Sequence, residues 1–154
     1  MRVKAAPPEN DTVAVEWIAD GRGLVSGMRY HDGALASLEI NKARVRVSVH
    51  PVGGGVTVFD LLGNIEFGSI GLTSGDIVVD VWAFRLGADL EPMPALAGSV
   101  MALHGNTLYD SEVEAAVQRI SAQNAGRFLV SFTCARSSEF SVLADEMRVT
   151  KAGY

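Results

Sequence analysis

The chain carries one cysteine, Cys134, in 154 residues. An internal disulfide is excluded, and so is a cluster of metal-bound thiolates. Histidine is scarce as well: His31, His50 and His104 lie far apart, with no H-x-H or H-x-x-x-H spacing. The usual sequence signature of a zinc site is missing, although a fold can bring distant ligands together. No basic run occurs; Lys42 to Arg46 is the densest basic stretch, and the net charge is −5. Sequence-independent binding to nucleic acid needs Lys and Arg to neutralise phosphates, so nucleic acid is not an expected partner. No apolar run reaches the roughly 20 residues that span a bilayer as a helix, and the start, Met1 to Pro8, lacks the apolar centre of a secretion signal. We expect a cytoplasmic, soluble protein without membrane association. Phosphate loops are missing too: Gly53-Gly54-Gly55 leads into Val56-Thr57-Val58, not into Lys-Ser/Thr and a helix. Gly68-Ser69-Ile70-Gly71 sets its serine one position early for a nucleophile elbow. No cofactor is expected.

What is present is β pattern. Val45, Val47 and Val49 alternate with Arg44, Arg46, Ser48 and His50, which marks one dry and one wet face of a strand. Pro51 to Gly54 break the run, and Val56, Val58, Phe59, Leu61 and Leu62 begin a second strand. A hairpin with Val49 opposite Val56 and Val47 opposite Val58 keeps the valines on one inward face.

We divide the chain into a flexible N-terminal tail, 1–11, and a single globular domain, 12–154. Strands are expected over 12–18, 24–30 and 34–40, with His31-Asp32-Gly33 a turn or bulge, and a short one over 65–67. Asp76 to Phe84 is apolar on both faces except at Asp76 and Asp80, which suits a mid-sheet strand or one beneath a helix. Pro92 and Pro94 frame the entry to a short helix expected over 95–104, proline being well tolerated in a first turn, and Gly105-Asn106 would end it. Ser111 to Glu114 reads as a capping box with Ser111 at the cap, opening a helix over 112–124. Strands follow over 127–134, with Phe128, Val130, Phe132 and Cys134 on one face, and over 140–149. The expected fold is α+β: a mainly antiparallel sheet of six to eight strands, curved or barrel-like, with one or two helices around residues 93–125.

Few residues offer chemistry. His31 and Asp32 could bind a metal, or pair a base with its orienter, but adjacent strand residues point apart, so only a turn or bulge lets them converge. The plainer reading is that Asp32 caps a turn before Gly33. Asp80 interrupts an apolar strand, and an unpaired buried carboxylate is costly, so it must be exposed, paired or useful. Asp60, Glu66, Asp76 and Asp80 could gather as carboxylates, or pair separately with Arg44, Arg46 or Arg85. His104, near a helix end, suits the dipole. Cys134 on an apolar face reads as inert packing.

The run Tyr30-His31-Asp32-Gly33 through Leu38-Glu39-Ile40, the valine hairpin and Gly75-Asp76-Ile77-Val78-Val79-Asp80-Val81 resembles small bacterial β-rich domains. In those, a His-Asp-small start precedes a strand pair and a later Gly-acidic-Ile-Ile-x-Asp strand; Gly33 stands where Ser or Ala is usual. The resemblance covers residues 30–84, carries no assigned activity, and implies an immunity or interaction role. We therefore expect a non-catalytic protein-binding domain, of immunity or accessory kind, offering strand edges and an acidic surface to a protein partner. The alternative is a small-ligand or metal-binding protein or enzyme with a pocket near His31, Asp32 and Asp80.

Overall fold

The computed structural model describes residues 12–73 and 75–154; the tail expected over 1–11 lies outside the described residues. The chain runs β1 (Val13–Val15), β2 (Ile18–Ala19), β3 (Val25–Ser26), β4 (Gly33–Ile40), β5 (Arg44–His50), β6 (Val56–Leu62), β7 (Glu66–Ile70), β8 (Ile77–Arg85), α1 (Pro94–Leu103), α2 (Asp110–Gln123), β9 (Phe128–Cys134), β10 (Glu139–Ala144) and β11 (Glu146–Ala152). Nine strands pair antiparallel in the order β1-β11-β6-β5-β4-β8-β9-β10-β7, and β2 pairs β3 separately. The fold is α+β, as expected, with more strands than the six to eight anticipated.

The sheet curls on itself. β6 passes through Gly63 to Ile65 into β7, while its neighbour β10 passes through Asp145 into β11, so β6·β11 and β7·β10 lie end to end. The bend is tight: a Cβ on Gly63, at φ +83°, would lie 2.3 Å from the Asp145 carboxylate. The concave side holds the main core, with Val45, Val47, Val49, Phe59, Leu61, Phe132, Phe140 and Val142 all fully buried. Phe132 stacks on Phe140 at 4.6 Å between centroids and meets Phe59 edge-on at 5.2 Å. On the outside, α1 and α2 cover the β8-β9-β10 wing, where Leu96, Val100, Ala116 and Ile120 pack on Phe84, Leu129 and Leu143 as a second core.

Four expectations need correction. The hairpin forms, but Val47 opposes Phe59 and Val49 opposes Thr57, one residue away from the expected register. Val56 and Val58 thus share the outer face with Asp60. The reason is parity: a register that turned Val56 and Val58 inward would turn Asp60 inward too, whereas this one buries Phe59 and Leu61 and lets Asp60 meet the Arg46 guanidinium at 2.8 Å. The strand expected over 24–30 shrinks to Val25–Ser26, since Gly27 takes φ +111°. The last strand divides in two at Asp145. Ser111 is not the helix cap: α2 starts at Asp110, Tyr109 is the cap residue, and Glu112 accepts the Tyr109 N–H at 3.0 Å.

Candidate functional site

Tyr30 to Gly33 make a tight turn in which the Gly33 N–H donates to the Tyr30 carbonyl at 2.8 Å and Asp32 adopts φ +58°. Both ends are fixed. The Tyr30 hydroxyl donates to the Val25 carbonyl and its ring packs edge-on to Phe59. At Gly33 a Cβ would come within 2.6 Å of Val49 and 2.7 Å of the Tyr30 carbonyl, which accounts for the glycine at this position. Because His31 and Asp32 sit in a turn, the strand rule that would separate them does not apply.

β8 contributes the third residue through a bulge. Val78 opposes Cys134 and Asp80 opposes Thr133, leaving Val79 as the extra residue. The bulge keeps Val78 and Val81 both in the core and sets Asp80 on the outer side, a third exposed. The Val79 carbonyl accepts a hydrogen bond from His31 Nδ1 at 2.5 Å. Asp32 Oδ2 lies 3.5 Å from His31 Nε2, and Asp80 Oδ1 lies 3.8 Å from Nδ1. His31, Asp32 and Asp80 therefore come together, but the two carboxylates approach different ring nitrogens, and the three do not converge on one point. Among the described residues no group of three or more His, Cys, Asp or Glu is placed to hold a metal ion.

Beside this corner lies an open depression of about 580 Å³. Leu24, Met28, Tyr30, Pro51 and Val52 supply apolar walls, and Arg29, His31 and Asp80 the polar rim. Val52, at the tip of the β5–β6 loop, is 72% exposed. Arg29 is held from behind: its guanidinium stacks over the Tyr154 ring at 4.9 Å, its N–H donates to the Tyr154 hydroxyl, and its carbonyl accepts from Thr57 Oγ1 at 2.6 Å. Sequence reasoning missed Arg29, Met28 and Val52; an apolar residue between proline and three glycines was the one available signal.

The remaining candidates are dispersed. His50 faces the Gly55 carbonyl at 3.2 Å, and His104 caps the end of α1 with Nδ1 2.9 Å from the Val100 carbonyl. Asp60 pairs with Arg46. Asp76, buried, accepts the Thr73 N–H and the Ser138 hydroxyl, which hold its carboxyl below the usual range. Burial raises the Cys134 thiol to about 11, with the Asp76 charge acting in the same direction, so little thiolate forms near neutral pH. Glu139 was not singled out from sequence: it lies beneath Gly98 of α1, takes a hydrogen bond from the buried Ser131 hydroxyl, and has its pKa raised by burial.

Taken together, the fold and the corner define an α+β protein built on a curled antiparallel sheet, with a histidine flanked by two aspartates at one end. Comparison with protein-family models, curated proteins and solved structures finds no match. No helix among the described residues is long and apolar enough to cross a membrane.

Proposed function

We propose that this protein is a non-catalytic domain of immunity or accessory kind that binds a protein partner through the depression beside His31, Asp32 and Asp80. The observation that carries the reading is the form of that depression: open, walled mainly by apolar side chains, and edged by an exposed Val52 and acidic Asp80. Small-molecule sites enclose most of their ligand. An open apolar dish with a charged rim suits instead a projecting side chain of another protein, with the rim setting register and orientation. The partner side chain we infer is apolar, with a basic neighbour to meet Asp80 and Asp32 on a chain of net charge −5.

The test has two arms. Immobilised wild-type protein is compared with a Val52→Asp/Asp80→Asn variant whose fold is checked by circular dichroism. A partner retained in fixed stoichiometry by the wild type and lost by the variant supports the reading; equal retention by both removes the depression from it. In parallel, zinc, manganese and calcium are titrated by calorimetry. Stoichiometric metal binding that His31→Ala and Asp32→Ala abolish, with folding intact, overturns the protein-binding reading in favour of a metal or catalytic site.

A further inference from the structure

β4 is the strand where the curled sheet is incompletely sewn. It pairs with β5 along its whole length but with β8 only at Gly33 and Ala34, so from Ala36 to Ile40 its second edge has no backbone partner among the described residues. β7 is an edge as well: it pairs with β10 alone. One hydrogen bond joins the connections beside the two edges at one end, and at the other end β4 is bonded to the residue that leads into β8. The Ile65 N–H, just before β7, donates to the Lys42 carbonyl at 3.1 Å, and the Leu35 N–H donates to the Asp76 carbonyl at 2.7 Å. Between those bonds, 36–40 on β4, 66–70 on β7 and the connection from β7 to Asp76 border an open seam. In an antiparallel ladder alternate residues aim both N–H and C=O away from the paired neighbour, so each border presents unused backbone groups to the seam.

The core is also thin there. Ile40 opposes the fully buried Val45 and so lies on the core face, yet it is 49% exposed. The partly covered members of the main core include Leu35 and Leu38 on β4, Phe67 on β7, and Ile65 and Leu72 in its flanking connections. Both sides of the seam thus carry apolar side chains that the rest of the chain leaves half covered. On the outer side the seam is edged by exposed carboxylates, Glu39 on β4, which also opposes Arg46 on β5, and Glu66 on β7.

We infer that the seam between β4 and β7 receives an extended segment of a partner protein by strand addition, with apolar residues turned inward onto Ile40, Leu38 and Phe67 and basic residues turned outward toward Glu39 and Glu66. Backbone hydrogen bonding supplies affinity and the alternate side chains supply selectivity. The period of two follows from the strand geometry, and the sign of the outward residues follows from the two carboxylates and the net charge of −5. The seam goes beyond the depression beside His31 and stands or falls separately from it.

The probe is a synthetic peptide, acetyl-Lys-Val-Lys-Val-Lys-Val-Lys-amide, and the readout is amide hydrogen exchange by NMR with peptide affinity from fluorescence anisotropy. Excess peptide slows exchange of the outward amides in 36–40 and 66–70 by about tenfold or more. Affinity falls about tenfold for the same peptide N-methylated at alternate valines, and for Ile40→Arg, at a half-exposed site, with the fold of the variant checked by circular dichroism. The Val52→Asp/Asp80→Asn variant binds the peptide as the wild type does, which separates this result from failure of the depression. The inference is overturned if those amides are already protected without peptide, if excess peptide slows none of them, or if the N-methylated peptide binds equally well. Protection that grows with protein concentration alone overturns it in favour of a second copy of this chain in the seam.

Discussion

The two wings of the curled sheet share one core and differ in what lies outside. Outside β8, β9 and β10 lie two helices, and the burial of β9 and β10 is nearly continuous, from Leu129 to Phe132 and from Phe140 to Ala144. Outside β1, β11, β6, β5 and β4 no helix packs among the described residues, and burial alternates strictly along β5. The bare face carries a row of alternating charge across four strands: Glu39 opposes Arg46, Arg46 opposes Asp60, and Asp60 opposes Arg148. Cross-strand pairs of opposite sign each contribute a few tenths to about 1 kcal/mol. The lesson is that one sheet solves its outer surface in two ways, by apolar residues under helices or by mutually compensated charges in water.

The sharpest break of that comparison lies on the bare wing itself. Val47, with no exposure, and Ser48, on the outer face beside it, are one residue apart. Val47→Asp places a charge in the core and is expected to cost several kcal/mol, about 3 or more, in urea unfolding. Ser48→Asp is expected to cost about 1 kcal/mol or less. Similar losses for the two would mean that the wing is not one-sided.

The alternation that makes this pair predictable is also what made the first strand of the hairpin legible from sequence. Its partner was harder. Val56, Val58, Phe59 and Leu61 permit either phase, and only the fate of Asp60 selects one. Bulges were the deeper obstacle. The extra residue at Ala36 lets Leu35 and Leu38 both turn to the core, and the one at Val79 does the same for Val78 and Val81. Both break a strict period of two, and no local residue type announces them. The second bulge is what frees the Val79 carbonyl for His31 and sets Asp80 outward, so the convergence of His31, Asp32 and Asp80 depended on a feature that propensity does not encode. The helix start was misplaced for a related reason. Ser111 and Glu114 have capping-box spacing, but Glu112 reaches the backbone of Tyr109 instead, because the chain enters α2 two residues earlier.

A second contrast compares outer-facing apolar residues of the two wings. Leu143 on β10 faces α1 and is 1% exposed, whereas Val58 on β6 faces water and is half-buried. Leu143→Ala is expected to cost about 2–5 kcal/mol through lost contact and residual cavity. Val58→Ala is expected to cost about 1 kcal/mol or less. Thermal or urea melts of the two variants decide it; comparable losses would mean that the outer face of β6 is covered in solution.

The smallest expected effect sits where the covered wing buries a charge that the bare wing would leave in water. Asp60, on the open face, has an arginine against it; Glu139, beneath α1, has the hydroxyl of Ser131, which in turn accepts from Ser141 at 3.2 Å. Burial raises the Glu139 pKa above its ordinary value, while the Ser131 hydrogen bond acts in the opposite direction and only partly offsets it. For a carboxyl whose folded pKa is raised, the folded state holds its proton longer than the unfolded chain does. Stability from this group is then greatest below the unfolded pKa of about 4.3 and is lost as pH rises through the folded value. Glu139→Gln keeps the hydrogen-bonding shape and removes the titration, so its stability relative to wild type is expected to rise as pH climbs from the unfolded pKa of about 4.3 through the folded value and then level off. Urea unfolding of both proteins across that range measures the difference directly. A difference that stays flat with pH would mean that the carboxyl is as well solvated in the folded protein as in the unfolded chain, and that α1 does not exclude water from β10 at this point.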